Sequence, residues 1–331
     1  MDFNKLGSAA AKSDTMSRAT VSGRVLQDDT DFLCYQCAHV DHPLQYAIDK
    51  LLESLDHARR VAGASKVNMH LTLGAKGGRT EMATVKPYQE QRKKKDPVLA
   101  QRVLDLRNAL ANLKHPLFTP VVNTTQEADD SLRQYQCKAI QESGKESSVM
   151  RSGDKDLWFA EGLHIDANGR FYEVDGYGVT EYKEVGNTKP KLIGKGTSWF
   201  WHQMLMGDGA DNIPGLPQLP VELLNRYLPL KKHNPKRKPA ACGEAKAVAI
   251  LKDVTTEFKA AQRVAEAYNL YYGANGMEML VEQAFLLWIR RTTKLTDVLD
   301  YLNNNCGLKV NFSKAQKVRL QKFAESIKDR V

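Results

Sequence analysis

Gly207-Asp208-Gly209-Ala210-Asp211-Asn212-Ile213-Pro214-Gly215-Leu216-Pro217 joins two carboxylates to a stretch that cannot stay helical. A spacing of three sets both carboxylates on one side of a helical or turn-like step, and paired oxygens suit a hard cation such as Mg²⁺. From Asn212 the chain must turn, because Pro214 lacks an amide hydrogen and Gly215 is free to take positive φ. The amides of such a hairpin can grip phosphate oxygens. Taken alone, the string also describes a polar surface turn, so its neighbours decide.

On its N-terminal side, residues 197–206 read as a helix rich in Trp and Phe that delivers Asp208. Residues 219–241 are Pro-rich and basic, with Lys231, Lys232, Lys236, Arg237 and Lys238, the composition of an extended loop. A helix restarts after Gly243 and carries Lys246. Residues 255–331 read as amphipathic helices with breaks near 273–276 and 303–307.

Further upstream, Gly23-Arg24-Val25-Leu26-Gln27-Asp28-Asp29 reads as a first strand that ends on acid, where an open α/β sheet places its crevice. Cys34-x-x-Cys37 with His39 and His42 is too tightly spaced for a zinc site and reads as buried thiols. Residues 43–62 have helical periodicity, and Val67, Met69, Leu71 and Leu73 alternate as a second strand. A basic run follows, from Arg79 through Lys86-Pro87-Tyr88-Gln89-Glu90-Gln91-Arg92-Lys93-Lys94-Lys95. Asp96 and Pro97 then cap and open a helix. Glu127-Ala128-Asp129-Asp130 opens another, and Asp154-Lys155-Asp156 follows a short strand near 148–151.

The 331 residues, 42% of them hydrophobic, suffice for one large or two medium domains. A net charge of +9 favours a polyanionic partner once the basic residues cluster. Five cysteines without a framework spacing point to reduced thiols and a cytoplasmic protein. No apolar run approaches the roughly 20 residues of a membrane span, so no membrane association is expected. Residues 1–22, rich in Ser, Ala and Thr, read as a flexible tail.

Asp29, Glu127, Asp129, Asp130, Asp154, Asp156, Asp208 and Asp211 all fall at the ends of apolar elements. Two unit charges about 4 Å apart repel by roughly 4 kcal/mol at an effective dielectric near 20. Gathered carboxylates therefore call for divalent cations, a need that two-metal phosphodiester hydrolysis meets.

These motifs, in this order, resemble the 5′ nuclease family of flap endonucleases, the 5′-nuclease domain of bacterial DNA polymerase I and bacteriophage 5′-to-3′ exonucleases. The likeness covers about residues 23–254, and Thr197-Ser198-Trp199-Phe200-Trp201-His202 is most similar to the phage exonucleases. It implies a PIN-like α/β nuclease domain over 23–206, a parallel sheet flanked by helices, with a helical arch at about 76–96. It also implies a helix-hairpin-helix DNA-binding element over 207–254, interrupted by the basic insertion 219–241, and a helical region over 255–331.

The implied activity is metal-dependent 5′-to-3′ exonucleolytic and flap-type cleavage of DNA with two Mg²⁺ or Mn²⁺ ions, and the resemblance allows K⁺ at the hairpin. Under it Asp29, Glu127, Asp129, Asp130 and Asp154 hold the ion that activates water, and Asp156, Asp208 and Asp211 serve the second. Lys86 and Arg92, with Arg79, Lys93 and Lys94, would meet the scissile phosphate or the 5′ strand. Gly215 and Gly243, with Lys236, Arg237, Lys238 and Lys246, would hold the duplex backbone. Two positions depart from the family pattern: Thr72-Leu73-Gly74 replaces the aspartate that ends the second strand, and Gln89 follows Tyr88 where a lysine is usual. Two alternatives stay open, a catalytically weakened DNA-binding protein of the same fold and a PIN-type ribonuclease.

Overall fold

The computed structural model describes residues 18–91, 96–166, 169–184, 190–230 and 236–328. The chain forms two units, one of residues 1–75, 95–157 and 161–174, the other of 76–94, 158–160 and 175–331. The boundary expected at 206/207 is thus corrected. Residues 76–94 and 175–206 go with the C-terminal half, because the aromatic helix at 197–206 builds that half's core.

In the first unit the chain runs β1 (Val25–Asp28), α1 (Thr30–Gln36), α2 (Leu44–Val61), β2 (Lys66–Thr72), α3 (Pro97–Ala111), β3 (Phe118–Asn123), α4 (Ala128–Ser143), β4 (Ser148–Arg151), β5 (Gly162–Ile165) and β6 (Phe171–Val174). The sheet order is β3-β2-β1-β4-β5-β6, parallel except for the β5–β6 hairpin. Parallel neighbours need crossover connections, and helices supply them. Asp96 caps α3 by accepting from the Val98 amide at 2.9 Å, ahead of Pro97 at the first helical position.

Alternation along β2 sorts the two faces of the sheet. Val67, Met69 and Leu71 pack with Leu51 and Leu55 of α2 and Val103, Leu106 and Leu110 of α3. On the opposite face, buried His70 places Nδ1 2.6 Å from Ser131 Oγ on α4 and Nε2 3.0 Å from Gln27 Oε1 on β1. Gln27 Oε1 can only accept, so Nε2 carries a ring proton toward it, and the Ser131 hydroxyl also donates to Ala128 O at 2.9 Å. Asn123 also donates to Ser131 Oγ at 2.8 Å, and Asn68 donates to Gln27 Oε1 at 3.0 Å. This polar layer ties the first turns of α4 to three strands.

Cys34 and Cys37 are buried in the apolar core, and burial pushes the Cys37 thiol up to about 11. His39 and His42 lie exposed against Tyr46, so the four side chains do not share a site. Residues 1–17 lie outside the described residues. The rest of the expected tail is anchored: the Arg18 amide donates to Arg60 O at 3.0 Å and the Val21 amide to Gly63 O at 2.8 Å. Partners at the end of α2 correct that part of the expectation.

In the second unit follow β7 (Val179–Lys183), β8 (Lys191–Lys195), α5 (Thr197–Met206), β9 (Gln218–Leu219), α6 (Val221–Tyr227), β10 (Ala240–Ala241), α7 (Glu244–Leu251), α8 (Glu257–Tyr272), α9 (Gly276–Leu287), α10 (Asp297–Asn304) and α11 (Lys314–Ser326). Every residue from Thr197 to Leu205 in α5 is buried. Phe200 packs edge-on to Trp288, Trp201 Nε1 donates to Tyr301 Oη at 3.1 Å, and Tyr268 Oη donates to Met204 O at 2.8 Å.

Gly207 ends α5 at φ 74°, close against the turn it feeds: a Cβ there would stand 2.3 Å from Ile213 O. The basic segment 219–241 is only partly the extended loop expected of it. Buried Leu223 and Leu224 give α6 an apolar face, and β9 pairs antiparallel with β10 across the segment.

Replacing His70 tests the polar layer. Burial holds the His70 pKa down at about 3, against an ordinary 6.5. The group is therefore neutral when folded, and its stabilising contribution is present above the unfolded value and lost as pH falls toward the folded one. His70→Leu should lower stability at neutral pH by about 1–3 kcal/mol, the cost of stranding Ser131 and Gln27. It should also flatten the loss of stability on acidification below about pH 6.5, both read from urea unfolding across pH.

Candidate functional site

In the first unit, the carboxyl end of β1 leads straight into Asp29, which caps α1 by accepting from the Phe32 amide at 3.1 Å. Ser152, just past β4, donates to Asp29 Oδ2 at 2.6 Å and accepts from the Asp154 amide at 2.9 Å. Asp154 Oδ1 in turn accepts from the Asp156 amide at 2.9 Å, and Lys155 pairs with Asp156 at 2.8 Å. Glu127 is the N-cap of α4, and Asp129 stands in its first turn.

The electrostatics show that these groups converge. Burial pushes the Asp29 pKa up to about 7, against the lowering effect of Ser152 and Phe32, with Asp31 and Asp154 adding repulsion. Asp129 is raised well above the carboxylate range by burial, then by Asp29, Asp154, Glu127 and Asp156. Among the described residues no cationic side chain pairs with Asp29 or Asp129. A donor set of carboxylate oxygens short of positive charge fits Mg²⁺ or Mn²⁺. Asp130 is wholly inaccessible. Consecutive helical residues point about 100° apart, so it does not share the direction of Asp129.

Where the family pattern has an acid, the end of β2 has Thr72. Its hydroxyl accepts from the Ala128 amide at 2.8 Å and its own amide donates to Asp31 Oδ1 at 3.0 Å. Asp31 is held by Arg107 at 2.9 Å. The strand end thus fixes the first turn of α4 instead of contributing a carboxylate. Two residues that touch the site, Ser152 and Asp31, were not expected there, and Asp28 at the acid end of β1 is ion-paired with Arg151. Of these, Ser152 carried a local signal, since a serine two residues before an aspartate can accept that residue's amide hydrogen.

In the second unit, Asp208 and Asp211 are both buried, and a carboxylate oxygen of one lies within 4.8 Å of one of the other. The loop between them closes as a β-bridge, with the Asp208 amide donating to Ile213 O and the Ile213 amide to Asp208 O, each at 2.8 Å. Tyr88 Oη donates to Asp211 Oδ2 at 2.8 Å, and Gln89 Nε2 to Asp211 Oδ1 at 3.2 Å.

Two expected DNA contacts are corrected. Arg79 is 2% exposed and donates to Leu286 O at 3.2 Å and to Trp288 O at 2.9 Å, satisfying carbonyls at the C-terminal end of α9. The buried Gly215 amide donates inward to Gln283 Oε1 at 3.1 Å. Lys86, Lys236, Lys238 and Gly243 are exposed, Lys246 is half-buried, and Arg237 donates to Asn225 Oδ1 at 2.9 Å. Arg92, Lys93, Lys94, Lys231 and Lys232 lie outside the described residues.

Because the folded pKa of Asp29 is raised, its stabilising contribution is lost as pH rises through about 7. In EDTA the thermal midpoint should fall between about pH 6 and about pH 8, and Asp29→Asn should reduce that fall. Mg²⁺ should raise the midpoint more at the higher pH, because a cation binds the ionised carboxylates. Calorimetry at both pH values, with and without Mg²⁺, checks it, and an ion effect that ignores pH would count against this centre.

No protein-family model matches the sequence, and no curated protein matches it. Among solved structures the chain is similar to T5 5′-exonuclease bound to zinc, with a TM-score of 0.54 at 14% identity, covering 91% of this chain and 98% of that one. It is also similar to the bacteriophage T5 D15 flap endonuclease in complex with DNA and metal ions, with a TM-score of 0.50 at 15% identity over 91% and 99% of the two chains. At such low identity the likeness is one of fold, and the fold of this chain is the PIN-like α/β fold of T5 5′-exonuclease.

Proposed function

We propose that this protein is a divalent-metal-dependent 5′ nuclease that hydrolyses DNA phosphodiesters from 5′ ends and at flaps. The observation that carries this reading is the gathering of carboxylates around Asp29 and Asp129 at the carboxyl ends of parallel strands, where burial first and neighbouring acids second raise these two groups. The fold shared with T5 5′-exonuclease supports the 5′ polarity, and the flap endonuclease solved with DNA and metal ions supports the substrate class.

Divalent ions held by these acids would activate water and neutralise charge on the phosphate. Asp29, Asp129 and Asp154, with Glu127, would hold one ion, and Asp208 and Asp211 would serve a second. Ser152 would fix the direction of the Asp29 carboxylate, and Thr72 that of the α4 terminus bearing Asp129. Exposed Lys86 would meet the 5′ strand. Exposed Gly243 at the N-terminus of α7, with Lys236, Lys238 and Lys246, would hold backbone phosphates without reading sequence.

A 5′-labelled flap and a blunt duplex, each with Mg²⁺ or with EDTA, test the reading directly. Cleavage should require the ion, and hydrolysis that persists in excess EDTA would refute it. Asp129→Ala should abolish the rate at every metal concentration, whereas Asp208→Ala and Asp211→Ala should recover part of it as Mg²⁺ is raised into the range of about 10 mM or more, where weak carboxylate sites fill. DNA affinity measured in Ca²⁺ separates lost chemistry from lost binding. A chain that binds DNA but never cleaves it would be the weakened DNA-binding protein.

Neutralising Lys236 and Lys238 together should flatten the salt dependence of duplex affinity, each lost phosphate contact removing about 0.9 from the log–log slope. An unchanged slope would make them bystanders.

A further inference from the structure

Residues 84–91 form a strap within the second unit. One end is fixed at Thr84, whose amide and hydroxyl donate to the two carboxylate oxygens of Glu282 at 2.9 and 2.6 Å, and Glu282 is 1% exposed. The other end lies along the loop 208–212. There the Gln89 amide donates to Asp211 O at 2.9 Å, Asn212 Nδ2 donates to Pro87 O at 2.9 Å, and Gln91 Nε2 donates to Gly209 O.

Backbone conformation marks the same spot. Among the described residues the non-glycine positions with positive φ are Gln89 at 55°, Asn212 at 59° and Asp253 at 60°. Two of the three face each other across this junction. A left-handed non-glycine residue is costly and persists where its surroundings over-determine it. Here the outcome is that the Tyr88 hydroxyl and the Gln89 amide converge on one buried carboxylate, one on each oxygen, and also bond each other at 3.1 Å.

Resting on the metal-dependent reading above, we propose that Tyr88 and Gln89 are positioning residues for Asp211, orienting its carboxylate toward a divalent cation or that cation's water. Where the family pattern has a lysine, a neutral amide donates without adding a positive charge that would oppose the ion. Groups that orient metal ligands in this way typically contribute about 10- to 100-fold in metal affinity.

The experiment is calorimetric titration of Mn²⁺ into the full chain without DNA, comparing the parent, Tyr88→Phe, Gln89→Gly, the double variant and Asp211→Ala. Gln89→Gly suits the left-handed backbone and removes only the amide, and Tyr88→Phe keeps the ring and carries the test alone if the double variant does not fold. The double variant should weaken the Mn²⁺ step that Asp211→Ala weakens by about tenfold or more, with the thermal midpoint in EDTA and the DNA affinity in Ca²⁺ little changed. If Asp211→Ala weakens Mn²⁺ binding and the Tyr88 and Gln89 variants do not, the positioning role is overturned and the metal reading stands. If Asp211→Ala itself leaves Mn²⁺ binding unaltered, Asp211 is no metal carboxylate, and the inference falls with that assignment.

Discussion

Like charges forced together out of water are the constraint on which this molecule turns. Asp29 is fixed by the end of β1 and by its role as the cap of α1, and Asp129 by the first turn of α4. Burial, with the repulsion of neighbouring acids added to it, raises both carboxyls above their ordinary range. Such an arrangement costs stability, and a divalent cation held among the acids would relieve that cost.

The scaffolding around the acids shows how that geometry is kept. Beneath α4, His70 joins Ser131 to Gln27, so the helix carrying Asp129 is tied to the sheet by hydrogen bonds that tolerate no sliding. Thr72 ties the same terminus from the end of β2, and Ser152 links Asp29 to the backbone of Asp154. These neutral groups orient charged ones, and buried polar networks of this kind are specific because an unsatisfied member is expensive. Thr72 at the end of β2 therefore supplies position.

In the second unit the same logic recurs in loop form. Close approach at Gly207 folds the chain after α5 into a bridged turn, and that turn presents Asp208 and Asp211 while the strap 84–91 supplies Asp211 with two donors. Arg79 and the Gly215 amide, which look like DNA contacts in a basic arch and a hairpin, are used to hold α9 in place. A cation satisfying helix-end carbonyls is as sound a use of a guanidinium as binding a phosphate.

Much of this was legible in the residues themselves. Period-two alternation placed β2, helical spacing placed α2, Asp96 and Pro97 marked the start of α3, and the acids at the ends of apolar elements pointed to carboxylate chemistry, because these signals are local and depend on backbone geometry alone. The sequence did not reveal that residues 76–94 belong with the C-terminal half, that Arg79 and Gly215 face inward, that 219–241 holds a helix, or that Ser152, Asp31 and Tyr88 serve the acids. Those facts depend on which distant residues come to lie alongside. Burial, hydrogen-bond partnership and a raised carboxyl pKa are properties of packed neighbours, so only the tertiary structure could decide them.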